Sequence, residues 1–428
     1  GFGIDINLKI IDQNFILKNI WIFFKLIFYF FLNIFKIKFK GFEWFVKNFK
    51  IENVYIGDLI YDTYIRHHHS FKKPKIDMKF IKLLFFSILR VLRIKKIIKK
   101  NNVSHILVQS NNYSYNSGVA VRVGIERKLK VFFQEENHLT ECDENTTKRG
   151  KFFLRNNIFY RKKIYKKISQ KNADKFFTKR MKGKSKLVHT NTFDGIGVKT
   201  KDILYSNRHK KLYSKSSLLK KIKVFKNYEN IILIGAHAYS DAPHSMGSDF
   251  VFMDYYSKMK ETLDFIYRND EKNLWIIKPH PMQNYYGEKK INDHLFNSYK
   301  KHNIKICPKN INTSNLLNII DIVISGRGTI LIEALCFGKK SVALGSNPYS
   351  GPNLFIECKS KDQYFKLLKN LKRLKKITSD VSYFAKKKLY YIENYQPIFS
   401  PSSLIPKRNK YFKSKKFNNF FSELQLDY

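Results

Sequence analysis

A chain of 428 residues is too long for one ordinary domain, so two domains of roughly 150–200 residues each are expected. An apolar fraction of 43% supports a sizeable core and excludes wholesale disorder. Four cysteines, Cys142, Cys307, Cys336 and Cys358, lie far apart with no C-x-x-C pair, which argues against a zinc site or a disulfide framework and favours a reducing compartment.

The formal charge is +47, from 81 basic and 34 acidic residues. Three sources are open: compositional over-use of Lys, Asn, Ile, Phe and Tyr, attraction to anionic lipid, or affinity for nucleic acid. The lysines are scattered and no nucleic-acid-binding motif stands out, so no specific nucleic acid is expected. The chain opens at Gly1, not Met, and shows no signal-peptide pattern with a small-residue cleavage site.

Residues 15–39 are the most hydrophobic stretch, interrupted by Lys25 and too short in its uncharged run for the ~20 residues of a membrane span. On a helical wheel Lys18, Lys25, Tyr29, Asn33 and Lys36 form one narrow stripe, while Trp21, Phe24, Phe28, Phe31 and Phe35 cover the rest. Such a helix either packs into a core or lies in a membrane interface with its lysines toward headgroups. Next, Asp58 and Asp62 follow a short apolar run and are further candidates for a general base. A β-α-β pattern occupies 104–134, with strands at 104–109 and 130–134 around a helix at 118–128.

Glu135, Glu136, Glu141, Asp143 and Glu144 then crowd together in a chain that is otherwise basic. They follow a strand end, where a general base facing a cleft would sit, and Glu136 and then Glu135 are the preferred candidates. A solvated acidic loop is the plainer alternative. Residues 145–225 are Lys-rich with few strands, and 206–228 read as an interdomain linker. The second series is better defined, with strands at 230–234, 274–278, 304–307, 321–325 and 341–344. Helices near 250–268, 290–301, 314–319, 329–337 and 362–374 separate or follow them. Gly338 fits the position just past a helix end. This alternation means a parallel, doubly wound sheet. The chain is thus divided into an N-terminal domain (1–205), the linker, a C-terminal domain (229–377) and a basic aromatic tail (378–428) that packs back on the N-terminal domain.

Two strand ends carry the chemistry. Ile276-Ile277-Lys278-Pro279-His280-Pro281 fixes His280 between two prolines just beyond a strand. Ile322-Val323-Ile324-Ser325-Gly326-Arg327-Gly328-Thr329 leads into Ile332-Glu333-Ala334. Its glycines allow close backbone approach, the following helix offers unpaired N–H groups, and Arg327 adds a fork of donors matched to phosphate. Thr329 has Ile332 three residues later, so no capping box consumes those amides. Glu333, one turn into the helix, is placed to accept from ribose hydroxyls. A third strand end, Gly235-Ala236-His237-Ala238-Tyr239-Ser240-Asp241-Ala242-Pro243-His244, should face the same crevice. Pro243 makes helical spacing of its histidines unsuitable for a metal, so His237, Asp241 and His244 are assigned to substrate positioning and no metal is expected. Ligands of open α/β sheets bind at the carboxyl ends of the strands, which points to a nucleotide-linked substrate.

These residues resemble bacterial capsule polysaccharide biosynthesis proteins, a family that includes transferases of the acidic sugar Kdo. The resemblance rests on Lys278-Pro279-His280-Pro281, on Ser325-Gly326-Arg327-Gly328-Thr329 with Glu333-Ala334, and on Gly338 followed by 342–345 and Tyr349. It covers 230–350 well, 50–140 loosely and the tail hardly at all. Similar motifs occur in bacterial sialyltransferases and teichoic-acid glycerophosphotransferases, and Gly326-Arg327-Gly328 departs from the usual filling between Ser and Thr. The resemblance implies a GT-B fold, two Rossmann-like doubly wound domains facing a central cleft, with the donor nucleotide in the C-terminal one. It places His280, Ser325 and Thr329 on the donor's phosphate, with Lys278, Gly326 and Gly328 beside them. The expected reaction moves a sugar, Kdo or a sialic-acid-like one among the options, from a nucleotide donor that can be CMP-linked to a glycan or lipid-linked glycan. No cofactor is expected, and the site of action is cytoplasmic, at the anionic inner face of the membrane. A glycerophosphotransferase, a nucleotide-sugar epimerase and a non-catalytic RNA- or lipid-binding protein are the alternatives.

Overall fold

The computed structural model describes residues 20–68, 74–108, 114, 117–135, 138–142, 163–182, 213–245 and 250–394, apart from 282, 285, 309–310, 346, 348 and 352–353. The chain divides into two compact units, one of Gly1–Leu154, Ala242–Gly247 and Gln396–Tyr428, the other of Arg155–Asp241 and Ser248–Tyr395.

In the first unit helix α1 (Ile20–Asn48) leads into a two-stranded antiparallel ribbon, β1 (Lys50–Ile51) and β2 (Val54–Tyr55). Helices α2 (Gly57–His68) and α3 (Met78–Lys100) follow. Then come β3 (His105–Val108), α4 (Gly118–Glu126) and β4 (Lys130–Glu135), the expected β-α-β unit, with β3 and β4 parallel. A Cβ on Gly124 would lie 2.7 Å from Val131 and 2.8 Å from Ile106, so only glycine lets α4 sit this close to its strands. Residues His138–Cys142 form β5, antiparallel to β4, so Glu135 and Glu141 lie in strands, while Glu136, Asp143 and Glu144 lie outside the described residues.

Asp58 and Asp62 lie inside α2. Asp58 is buried and receives both Arg122 amino groups, Nη2 at 2.8 Å and Nη1 at 3.2 Å. Asp62 Oδ2 accepts the backbone N–H groups of His244 (3.1 Å) and Ser245 (2.6 Å). Full burial pushes the Asp62 carboxyl well above the usual carboxylate range.

Helix α1 differs from expectation in which side it buries. Leu26, Asn33 and Ile37 face the protein, and the polar Asn33 turns its amide to the Tyr29 carbonyl at 2.6 Å. Phe30 packs edge-to-face on Phe85 of α3. The aromatic side looks outward. Gly41 breaks the helical conformation with φ 77°, and beyond it Phe45 and Val46 enter the core. Among the described residues α1 alone is long and apolar enough to cross a membrane by length and composition.

The second unit opens with α5 (Gln170–Met181) and α6 (Lys215–Lys221). Its six strands are β6 (Ile231–Gly235), β7 (Leu274–Lys278), β8 (Ile304–Ile306), β9 (Ile322–Ser325), β10 (Lys340–Ala343) and β11 (Ile356–Glu357). Between and after them run α7 (Tyr255–Asn269), α8 (Lys289–Asn297), α9 (Thr313–Ile319), α10 (Ile330–Cys336), α11 (Lys361–Lys369) and α12 (Ser379–Asn394). The strand order is β11-β10-β9-β6-β7-β8 and every pairing is parallel. Strands β6, β7 and β9 are buried on both faces, which is why they read as continuous apolar runs. Gly338 takes φ 70° past α10, and the N–H groups of Gly338 and Lys339 return to Leu335 and Ala334, the glycine-terminated helix end the sequence indicates.

Two boundaries move. The expected linker contains α6, whose Leu218, with Ile222 and Val224, joins the core of β6, β7 and β9. The expected tail contains α12, whose Ala385 and Leu389 pack with Phe177 of α5 and Ile332 and Leu335 of α10. Both segments therefore belong to the C-terminal unit. The expected positions beyond 394 lie outside the described residues. Cys307, Cys336 and Cys358 are buried free thiols.

Candidate functional site

The strand order reverses between β6 and β9, which lead off in opposite directions across the sheet. In doubly wound sheets that point opens a crevice at the carboxyl ends of the strands. Register sets Gly235 opposite both Lys278 and Ser325, so the three candidate loops leave the sheet side by side.

His237 stands at the centre. Its Nε2 accepts the Arg327 backbone N–H at 3.0 Å and lies 3.4 Å from Ser325 Oγ, while its ring stacks on Tyr255 with centroids 4.3 Å apart. An accepting Nε2 assigns the ring proton to Nδ1. Burial, then the charges of Lys258, His280 and Arg327, hold His237 well below its ordinary pKa, so it is neutral. Burial likewise pushes Lys258 down to about 7. Its Nζ lies 3.5 Å from the Gly235 carbonyl.

Burial pushes His280 down to about 4, partly opposed by Asp241. Asp241 reaches this position because Glu288 holds the preceding turn, accepting from Tyr239 N (2.9 Å), Ser240 N (2.8 Å) and Ser240 Oγ (2.7 Å). A histidine depressed from 6.5 to about 4 contributes stability that is present above pH 6.5 and lost as pH falls through 4. Thermal midpoints should therefore drop between pH 6.5 and 4, and the drop should shrink in His280→Gln. An identical pH profile in that variant would remove His280 as the source.

The turn from β9 to α10 departs from expectation in three respects. Gly326 is fixed by packing rather than by ligand approach: a Cβ there would meet Tyr255 at 2.9 Å, Phe250 at 3.1 Å and His237 at 3.2 Å. Ser325 is buried and gives its hydroxyl proton to the Gly235 carbonyl at 3.0 Å, leaving it only acceptor capacity. The Arg327 amide is already used by His237, so it is not among the open amides. Gly328 has room around it, Arg327, Gly328, Thr329 and Ile330 are half-buried, and Thr329 makes no side-chain cap bond.

Two other candidates bond to protein groups. Glu333 accepts from Arg180 Nε and Nη2, each at 2.9 Å, in a buried ion pair. Lys278 is buried with Nζ 3.4 Å from the Ile311 carbonyl. His244 belongs to the first unit, its ring 6.1 Å from Tyr61. Glu135 ends β4, and Glu136 lies outside the described residues. Lys258 and Glu288 escaped sequence reading. Lys258 had a signal, since it falls three residues after Tyr255 and four before Thr262 on the buried face of α7.

The model of the family described as capsule polysaccharide biosynthesis protein matches residues 115–387, more than half of the chain. The chain belongs to that family. This places it in capsule polysaccharide biosynthesis, as the motifs at His280 and Ser325 suggest. A search of curated proteins returns no match. Solved structures similar to it include two from Thermosulfurimonas dismutans. One is KpsC, beta Kdo 2,4 transferase, at 13% identity and TM-score 0.33, covering 70% of this chain and 87% of that one. The other is KpsC, beta Kdo 2,7 transferase, at 16% identity and TM-score 0.34, covering 69% and 80%. The UDP-GlcNAc 2-epimerase of Methanocaldococcus jannaschii, in complex with UDP-GlcNAc and UDP, is similar at 12% identity and TM-score 0.30, covering 78% and 96%.

Proposed function

We propose that this family member transfers a sugar from a nucleotide donor to a growing capsule polysaccharide, with the donor's phosphate held where β6 and β9 part. What supports this is the meeting of the loops after β6, β7 and β9, where Gly235 lies opposite Lys278 and Ser325 and the Arg327 N–H bonds His237. The fixed charge of Arg327, with the neutral His280 as a further donor at the ends of buried strands, suits an anion that leaves water. As the bond between sugar and nucleotide breaks, charge grows on the leaving phosphate, and donors already in place stabilise it more than the ground state. Arg327 supplies the fork, His280 a rigid N–H, and the half-buried Gly328 and Thr329 the adjoining backbone. Of the acidic residues between 135 and 144, Glu136 and Glu135 are our candidates for deprotonating the acceptor hydroxyl.

The donor class we favour is a CMP-linked acidic sugar of the Kdo or sialic-acid type, and the acceptor a glycan or lipid-linked glycan on the cytoplasmic side of the membrane. The test is product analysis with purified full-length protein, CMP-Kdo and a capsule oligosaccharide. Acceptor-dependent CMP release with an oligosaccharide one sugar longer is expected. An altered sugar made without acceptor would mean epimerisation. No release with any nucleotide sugar would leave a binding protein in place of an enzyme.

A further inference from the structure

We infer that the outward face of α1 docks the protein on an anionic bilayer, with the helix lying in the plane of the interface. At about 100° per residue, Trp21, Phe24, Phe28, Phe31, Phe35 and Phe39 fall within an arc of roughly 80°. That arc is diametrically opposite Leu26, Asn33 and Ile37, which face the protein. Trp21 is 79% exposed and Phe39 83%. From Trp21 to Phe39 the rings run for about 27 Å of helix, a larger apolar patch than a monomer leaves without a partner.

The helix is amphipathic in reverse, since Asn33, its one asparagine before Gly41, is spent on the protein side. Charge selects the partner. Residues 20–42 contain lysines at 25, 36, 38 and 40 and no acidic residue, and Lys36, Lys38 and Lys40 are exposed. Aromatic rings flanked by lysines suit the boundary between acyl chains and anionic headgroups, where the rings insert and the ammonium groups meet phosphate. A span across the bilayer does not suit the inner side of α1. Leu26, Asn33, Ile37 and Phe45 are buried along its length, Phe30 contacts Phe85, and Lys25 pairs with Glu52 at 3.0 Å. Only one face is left for lipid.

The inference is independent of which sugar is moved, and binding, not activity, is its readout. Full-length protein is sedimented with phosphatidylcholine vesicles, with and without phosphatidylglycerol, and Trp21 is followed by quenching with brominated lipid. Sedimentation with the anionic vesicles alone is expected, with quenching that disappears in Trp21→Phe. Phe24→Ser with Phe28→Ser and Phe35→Ser should weaken binding about tenfold or more, and Lys36→Glu with Lys38→Glu and Lys40→Glu should also weaken it. Thermal midpoints of these variants should match wild type, since the changed side chains are exposed. Wild-type-like vesicle binding by the triple Phe variant would overturn the docking face. So would a dimer that binds no vesicles and dissociates in that variant, which would assign the face to a second copy.

Discussion

Turnover should fall about 100-fold or more when either His280 or Arg327 is replaced by alanine, the loss typical of removing one preorganised donor from a developing anion. The two residues reach the site from different strands, His280 from the end of β7 and Arg327 from the end of β9, yet both bear electrostatically on His237. An interaction made mainly in the transition state lowers kcat more than it raises KM. Arg327→Lys retains charge without the fork of donors, so it should recover only part of the loss. Steady-state kinetics with saturating donor measures this. Near-normal turnover in both alanine variants would separate the β6/β9 crevice from the chemistry.

Glu333→Ala should destabilise the C-terminal unit by about 3–5 kcal/mol, because it strands a buried guanidinium. Arg180 comes from α5, early in the chain, and lies against Glu333 of α10 with both side chains almost fully buried. Replacing both partners, Arg180→Met with Glu333→Leu, should restore most of the stability, since an apolar pair carries no desolvation penalty. Urea unfolding of the single and double variants tests the assignment. A Glu333→Ala protein that unfolds at the wild-type midpoint but no longer binds nucleotide would return Glu333 to the ribose contact.

The sheet and its loops were legible because buried parallel strands have a simple signature. The runs ending at Gly235, Lys278 and Ser325 are apolar on both faces and break into Gly, Pro, His and Arg. Direction was not legible. A strand end does not reveal whether Lys278 or Ser325 turns toward the crevice or toward a neighbouring carbonyl, and here both find carbonyls. Nor does it reveal that Gly326 is held by the rings of Tyr255 and Phe250. Helix α12 was hidden by composition, since its lysines and tyrosines mask the Val381, Ala385 and Leu389 spacing that packs on α10. The pairing of α5 with α10 joins segments some 150 residues apart in the chain, a distance no local pattern spans. On α1 the wheel separates a polar stripe from an aromatic one, but which side meets the protein depends on α2 and α3, which periodicity within α1 does not encode.

The most direct test of the β6/β9 crevice is a thermal-shift titration of CMP, CDP, UDP, GDP and ADP into wild type and Arg327→Ala. A ligand at 100 times its dissociation constant stabilises by about 2.7 kcal/mol, which such a titration resolves. Stabilisation of wild type by CMP, and its loss in Arg327→Ala, is the expected result. Stabilisation by none of the five, or equal stabilisation of both proteins, would contradict a nucleotide site at the point where β6 and β9 part.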